Sequence, residues 1–155
     1  MTGDHKGGEQ PTLRGRAMRL LARREHSRAE LARKLAPHAV DDEEIQRLLD
    51  ELESRGWLSE QRVVEQTVHA RRSRFGMRRI ERDLHAKGVS ADAIAAARPE
   101  IKSGELAAAR EVWRKKFGGR LPRTPAERAR QARFLQGRGF DLDVIMKIMK
   151  GSDDD

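Results

Sequence analysis

The chain has 155 residues, 33 basic and 25 acidic, a net charge of +8 and no cysteine. That length holds one ordinary domain or a short array of small units, and the missing thiols exclude disulfides, thiolate zinc sites and cysteine nucleophiles together. Leu, Ile, Val and Phe supply only 31 of the 155 residues, so a large sheet-based core is excluded and the 19 alanines must serve as small packing groups in helices. With no apolar run of about 18 residues and a polar, Gly-rich start from Met1 to Thr12, the sequence predicts neither a membrane span nor a secretory signal, and therefore a cytoplasmic protein.

In chain order, residues 1–12 read as a disordered tail, and Leu13 to Arg24 as an amphipathic helix. Ser27-Arg28-Ala29-Glu30 is a capping box opening a short helix that carries Leu31 and Leu35. Asp41 and Glu44 form a second box, and the helix to Arg55 bears Ile45, Leu48, Leu49 and Leu52 on one stripe before Gly56, where a left-handed cap is wanted. Further helical segments run from Glu60 to Arg74, with Val63, Val64 and Val68, and from Gly104 to Phe117, with Leu106, Ala109 and Trp113. Gly118 to Arg123 is a basic connection; Thr124-Pro125-Ala126-Glu127 is a third box, with proline at the first helical position, where no amide bond is lost. The end, 152–155, reads as an acidic disordered tail.

An internal repeat organises these pieces. Leu84, Gly88, Val89, Ser90 and Ile94 have the spacing of Leu135, Gly139, Phe140, Asp141 and Ile145, and Leu35, Ala39, Val40, Asp41 and Ile45 fit the same frame with Ala39 in place of glycine. In each case the glycine ends one helix, the apolar residue folds back onto the core, and the Ser or Asp caps the next helix. The expected fold is all-α: three tandem three-helix repeats at 13–58, 59–101 and 102–151, stacked as a short curved solenoid because one such unit buries too little apolar surface by itself.

These residues resemble the RecX family, regulators of the bacterial recombinase RecA. The resemblance rests on four segments in the family's order. They are Leu20-Leu21 with Ser27-Arg28-Ala29-Glu30-Leu31 and Leu35; Ile45, Leu49 and Leu52 running into Gly56-Trp57-Leu58; Gly76-Met77-Arg78-Arg79-Ile80 with Leu84 and Gly88-Val89; and Phe134-Leu135 with Gly139-Phe140 and Ile145. Together they cover roughly 13–149; the chain departs from the family at Ala39 and at Ser59-Glu60-Gln61-Arg62-Val63, where two acidic residues and a Phe are usual. The resemblance implies a protein that binds RecA and RecA-DNA filaments and restrains their ATPase, strand-exchange and co-protease activities, in DNA repair and the SOS response. It implies no catalytic residues and no cofactor.

Charge is unevenly spread, at +6 over 14–34, −6 over 41–60, +5 over 62–88 and +8 over 110–138. The candidate partner or DNA contacts are Arg71, Arg72, Arg74, Arg78, Arg79 and Arg82 in the second repeat, then Arg114, Lys115, Lys116, Arg120, Arg123, Arg130, Arg133 and Arg138 in the third. Their planar guanidinium forks suit phosphate and carboxylate alike, whereas runs of charge on helices are also the ordinary solvated face. The aromatics Trp57, Phe75, Trp113, Phe117, Phe134 and Phe140 sit at apolar helix positions or just after turns, which predicts core packing rather than base stacking. DNA binding is accordingly expected to be weak, salt-sensitive and unspecific.

His5, His26, His38, His69 and His85 lack metal-ligand spacing, no phosphate loop occurs, and capping or helix dipoles explain the Ser, Thr and acidic clusters, so no metal and no enzymatic site is expected. The alternative function is a helix-turn-helix-like DNA-binding protein acting without RecA. Its recognition helix would begin Asp41-Asp42-Glu43-Glu44, carboxylates that repel the phosphates of a groove, although Lys147 and Lys150 keep a weaker version open on the last helix. A bare scaffold is the third reading. The shortage of spare large apolar residues predicts a monomer.

Overall fold

A computed structural model describes residues 10–151, which form eight α-helices and one 3-10 turn, with no strand among the described residues. The tails expected at 1–9 and 152–155, with His5, lie outside the described residues. Thr12, assigned to the first tail, instead caps a helix by accepting from Gly15 N–H at 3.0 Å. Two compact units meet between Val63 and Val64.

The first unit contains α1 (Leu13–Arg23), α2 (Arg28–Leu35), a 3-10 turn (Ala36–His38) and α3 (Asp42–Ser54). Its core joins Ala17 of α1, Leu31 and Leu35 of α2, the α3 stripe Ile45, Leu48, Leu49 and Leu52, and Leu58 beyond it. The Ser27 box is reciprocal: Oγ accepts from Glu30 N–H, and Glu30 accepts from Ser27 N–H, each at 3.1 Å. At Asp41 the box is shifted, because Glu44 reaches Val40 N–H at 2.8 Å instead of Asp41 N–H. Gly56 takes φ 74° as expected, and Leu58 N–H closes the turn on Leu52 C=O at 3.2 Å.

The second unit holds most of α4 (Glu60–Arg71), then α5 (Met77–Ala86), α6 (Ala91–Phe117), α7 (Pro125–Gly137) and α8 (Leu142–Met149). α5 packs on α6, α6 on α7 and α8, and α7 on α8. Gly88 and Gly139 adopt φ 79° and 87°, and Val89 and Phe140 fold back with 4% and 1% exposure. Their N–H groups donate to Leu84 and Leu135 carbonyls at 3.1 and 3.2 Å, the six-residue closure of a left-handed helix end. The first-unit member of the frame behaves differently. Without the glycine the chain makes the 3-10 turn, and Val40 stands 91% exposed while Ala39 packs against the core.

α6 is a single helix of 27 residues through Pro99, where the sequence placed a break between repeats at 101 and 102. Proline removes one amide donor, and the carbonyl four residues earlier belongs to Ala95, which like Pro99 is exposed, so that carbonyl is open to solvent and is not stranded in a core. Flanking alanines at 91, 93, 95, 96 and 97 favour helix strongly enough to carry the chain across. The helix expected to close the second repeat and the helix expected to open the third are therefore one element.

Candidate partner and nucleic-acid interface

Two glycines set the geometry of this face. Gly76, the N-cap of α5, has an ordinary φ of −87°, but a Cβ there would stand 2.5 Å from Gly139 O and from Phe140 N and Cα. A Cβ on Gly139 would meet Arg79 N and Cβ, also at 2.5 Å. Backbone thus lies directly on backbone, and the gap is closed by hydrogen bonds from Gly76 N–H to Arg138 C=O at 2.9 Å and from Arg78 N–H to Gly139 C=O at 3.0 Å. This clasp brings the start of α5 against the end of α7.

Beneath it sits Glu105 of α6, 3% exposed, whose oxygens accept from Met77 N–H at 2.9 Å and Asp141 N–H at 3.3 Å. Burial pushes the Glu105 carboxyl above its usual range against those two bonds. Asp141 makes no capping bond of its own. Its carboxylate takes Arg78 Nε and Lys102 Nζ, each at 2.9 Å; burial pushes it up, but these two cations outweigh that and hold it below the ordinary value. Oxygens of Glu105, Asp141 and Asp143 lie within 4.8 Å of one another, the spacing of a cation site, yet Lys102 already stands 3.6 Å from Asp143 and completes an ion-pair cluster.

The clasp gathers the arginines. Phe75, half-buried between α4 and α5, has the guanidinium carbons of Arg79 at 4.9 Å, Arg71 and Arg138 at 5.4 Å, and Arg74 at 5.8 Å from its ring centre. Arg138 also lies 5.4 Å from the centre of Phe134, which carries Lys116 Nζ at 5.3 Å and meets Phe117 edge-on at 5.5 Å. One carboxylate, Asp83, serves this group, at 3.4 Å from Arg79 and 3.6 Å from Arg71. Asp83 Oδ2 and Arg79 Nε are buried without a hydrogen-bond partner among the described residues, so Asp83 holds Arg71 and Arg79 by charge attraction. A cation stacked on a ring keeps its N–H edge for phosphate or carboxylate.

Arg71, Arg74, Arg79, Arg138 and Lys116 are thus brought together. The other candidates stand apart. Arg78 is engaged with Asp141, and Arg82 lines a shallow groove with Glu81, His85 and Arg98. The Arg72 guanidinium lies beside Gly104, and Arg114 and Lys115 are exposed on the last turn of α6, Lys115 at 4.0 Å from Glu111. Arg120 and Arg123 border a cavity of about 610 Å³ around the connection to α7, and Arg130 and Arg133 occupy an exposed stripe of α7.

The rings are where sequence reasoning fell short. Trp113 and Phe140 are core residues as expected, with the indole N–H donating to Gln131 at 2.9 Å. Phe117 and Phe134 are half-buried and pack against that core, as expected, whereas Phe75 is half-buried among arginines and Trp57, in the first unit, is 39% exposed with Arg14 and Arg55 over it. The available signal was the run Arg71-Arg72-Ser73-Arg74-Phe75, an aromatic at the end of an arginine cluster. Gln131 was also missed: it is buried and donates to Arg120 C=O at 3.0 Å, anchoring the basic connection.

Among the described residues no helix is long and apolar enough to cross a membrane. Residues 14–52, 59–97 and 104–149 match the first, second and third three-helix domains of RecX. Regulatory protein RecX of Leptothrix cholodnii is 51% identical over 144 residues, 93% of this chain and 91% of the relative. Regulatory protein RecX of Chromobacterium violaceum is 46% identical over 149 residues, 95% of each chain. The crystal structure of RecX from Lactobacillus salivarius shares the fold at a TM-score of 0.77 and 16% identity, covering 89% of this chain and 92% of that one. With three domain matches in order and relatives of this similarity along nearly its whole length, the chain belongs to the RecX family of regulatory proteins.

Proposed function

We propose that the chain binds RecA and RecA-DNA filaments and lowers recombinase ATPase, strand-exchange and co-protease activity, without catalysing a reaction itself. Family membership supports the regulatory part of this reading, and one observation supports its location: four arginines around Phe75, continued by Arg138 and Lys116 onto Phe134, with Asp83 the one carboxylate paired to them among the described residues. A filament offers DNA phosphates and acidic protein side chains together, and guanidinium forks engage both. The half-buried rings add a stacking surface for an unpaired base. The helix-turn-helix alternative gains nothing from the first unit, where Asp42, Glu43 and Glu44 fill the first turn of α3.

The test is ATP hydrolysis by RecA on single-stranded DNA with the chain added below stoichiometry. Hydrolysis falls under this reading; unchanged hydrolysis at a large excess refutes it. Arg74→Ala with Lys116→Ala weakens inhibition while helical content stays the same, and full inhibition by that variant moves the site elsewhere.

A further inference from the structure

A second cationic site lies in the first unit, on residues the reading above does not use. α1 and the end of α2 border a groove of about 310 Å³ lined by Arg16, Arg19, Arg23 and Lys34 together with the partly exposed Leu20, above the fully buried Leu35; His38 completes the lining. Arg16, Arg19 and Arg23 recur at i, i+3 and i+7, one face of α1, and span roughly 10 Å at 1.5 Å per residue.

Among the described residues these cations, like Arg33 and Arg47, lack a counter-charge, unlike the five other arginines of the unit. Arg24 pairs with Glu30 and Arg62 with Glu25, both at 2.8 Å; Arg28 pairs with Asp50 and Glu53; Arg14 and Arg55 share Glu51. Among the described residues Arg16, Arg19, Arg23 and Lys34 make no ion pair: Arg16 donates to Gln10 and Lys34 donates to His26. Arg23 and Lys34 stand in last turns, where the helix dipole favours them, but Arg16 and Arg19 are mid-helix and have no such support. Like charges crowded on one concavity with no carboxylate in its lining call for an anion from outside.

The floor decides which anion. The lining contains no Phe, Tyr or Trp, only the small imidazole of His38, so an unpaired base finds little platform, whereas Leu20 and the aliphatic stems of the arginines offer an apolar surface. We propose that this groove docks an acidic peptide segment of a partner protein, with carboxylates on the arginines and a leucine-like side chain against Leu20 and the aliphatic arginine stems. Guanidinium forks suit carboxylates bidentately, and the apolar anchor distinguishes such a segment from a merely acidic one.

The experiment uses the full chain and fluorescence anisotropy of a labelled hexapeptide, Asp-Glu-Leu-Leu-Glu-Asp, beside the same peptide with serines for leucines and a labelled hexathymidylate. The leucine peptide binds, the serine peptide binds about tenfold more weakly, and Arg19→Ala with Arg23→Ala weakens the leucine peptide at least about tenfold. Both arginines are exposed, so the fold survives their loss, and Arg19→Lys with Arg23→Lys restores most of the affinity. Arg74→Ala with Lys116→Ala leaves peptide binding unchanged, which separates this groove from the Phe75 face. Equal binding by the alanine variant, no binding at millimolar peptide, or loss of hexathymidylate affinity alone in that variant overturns the proposal.

Discussion

Both units carry strongly basic stretches, +6 over 14–34 in the first and +8 over 110–138 in the second, yet dispose of the charge in different ways. In the first unit Arg14, Arg24, Arg28, Arg55 and Arg62 are tied to carboxylates, and the unneutralised remainder includes an aliphatic groove edged by α1. In the second, four arginines crowd one phenylalanine and share Asp83. Charge per stretch therefore does not distinguish the two faces; what the guanidinium groups lean on does. Ion pairs leave a solvated face, an aromatic ring leaves a stacking surface, and an aliphatic floor leaves a place for an apolar anchor.

The units can be taken apart experimentally because each holds one tryptophan, Trp57 in the first and Trp113 in the second. The largest effect is expected for Gly139→Ala. Its Cβ must occupy φ 87° and sit 2.5 Å from Arg79 backbone, so denaturant unfolding read at Trp113 should show a loss of about 4 kcal/mol. Gly56→Ala in the first unit has φ 74° but open space around it, and read at Trp57 should lose only the left-handed penalty of about 1–2 kcal/mol. Equal losses at the two glycines would mean that the backbone clasp is no tighter than a simple turn.

Glu105→Ala comes between these, at about 3 kcal/mol, because it strands the Met77 and Asp141 amides in a buried place. Glu105→Gln should recover part of this, since an amide oxygen still accepts from one of them.

The smallest effect is on pH dependence, and the units should move in opposite directions. Burial lowers the His26 pKa below the ordinary 6.5, against the bond to Arg24 C=O, so its contribution is present above pH 6.5 and is lost as pH falls through the folded value. Glu105 is raised above the ordinary 4.5 by burial, so its contribution is present below pH 4.5 and is lost as pH rises through the folded value. Mild acidification should thus lower the Trp57 midpoint in a Trp113→Phe chain, and His26→Gln should flatten that slope. In a Trp57→Phe chain, Glu105→Gln should remove a gain in the Trp113 midpoint at acid pH.

Much of the architecture is legible in the sequence because it depends on local chemistry. Ser27 with Glu30, Gly88 and Gly139 ending helices, and the leucine stripe of α3 all act over a few residues, and the structure realises each. Val40 misled because the frame supposes a glycine before it; with Ala39 there, the turn tightens and the valine faces solvent. The boundary expected between 101 and 102 does not break the helix, and even Pro99 is tolerated because a proline on a wet face of an alanine-rich helix loses little. The candidate contacts were legible as a list, but their grouping was not: Arg71 and Arg138 meet over Phe75 through the approach of Gly76 to Gly139, residues separated by most of the second unit.

The continuity of α6 makes the second unit a phased object. Each residue of an α-helix turns the chain by about 100° and advances it by 1.5 Å. Inserting one alanine near Pro99 would swing Glu105 out from beneath the clasp and turn Trp113 off the core together, so the span from Ile94 to Trp113 behaves as a crankshaft whose length is fixed in whole residues. Lengthening by seven residues, close to two full turns, would restore the angle while displacing the partners by roughly 10 Å. Neither change leaves both ends in register, so the exposed face of α6 can tolerate substitution where its residue count cannot change.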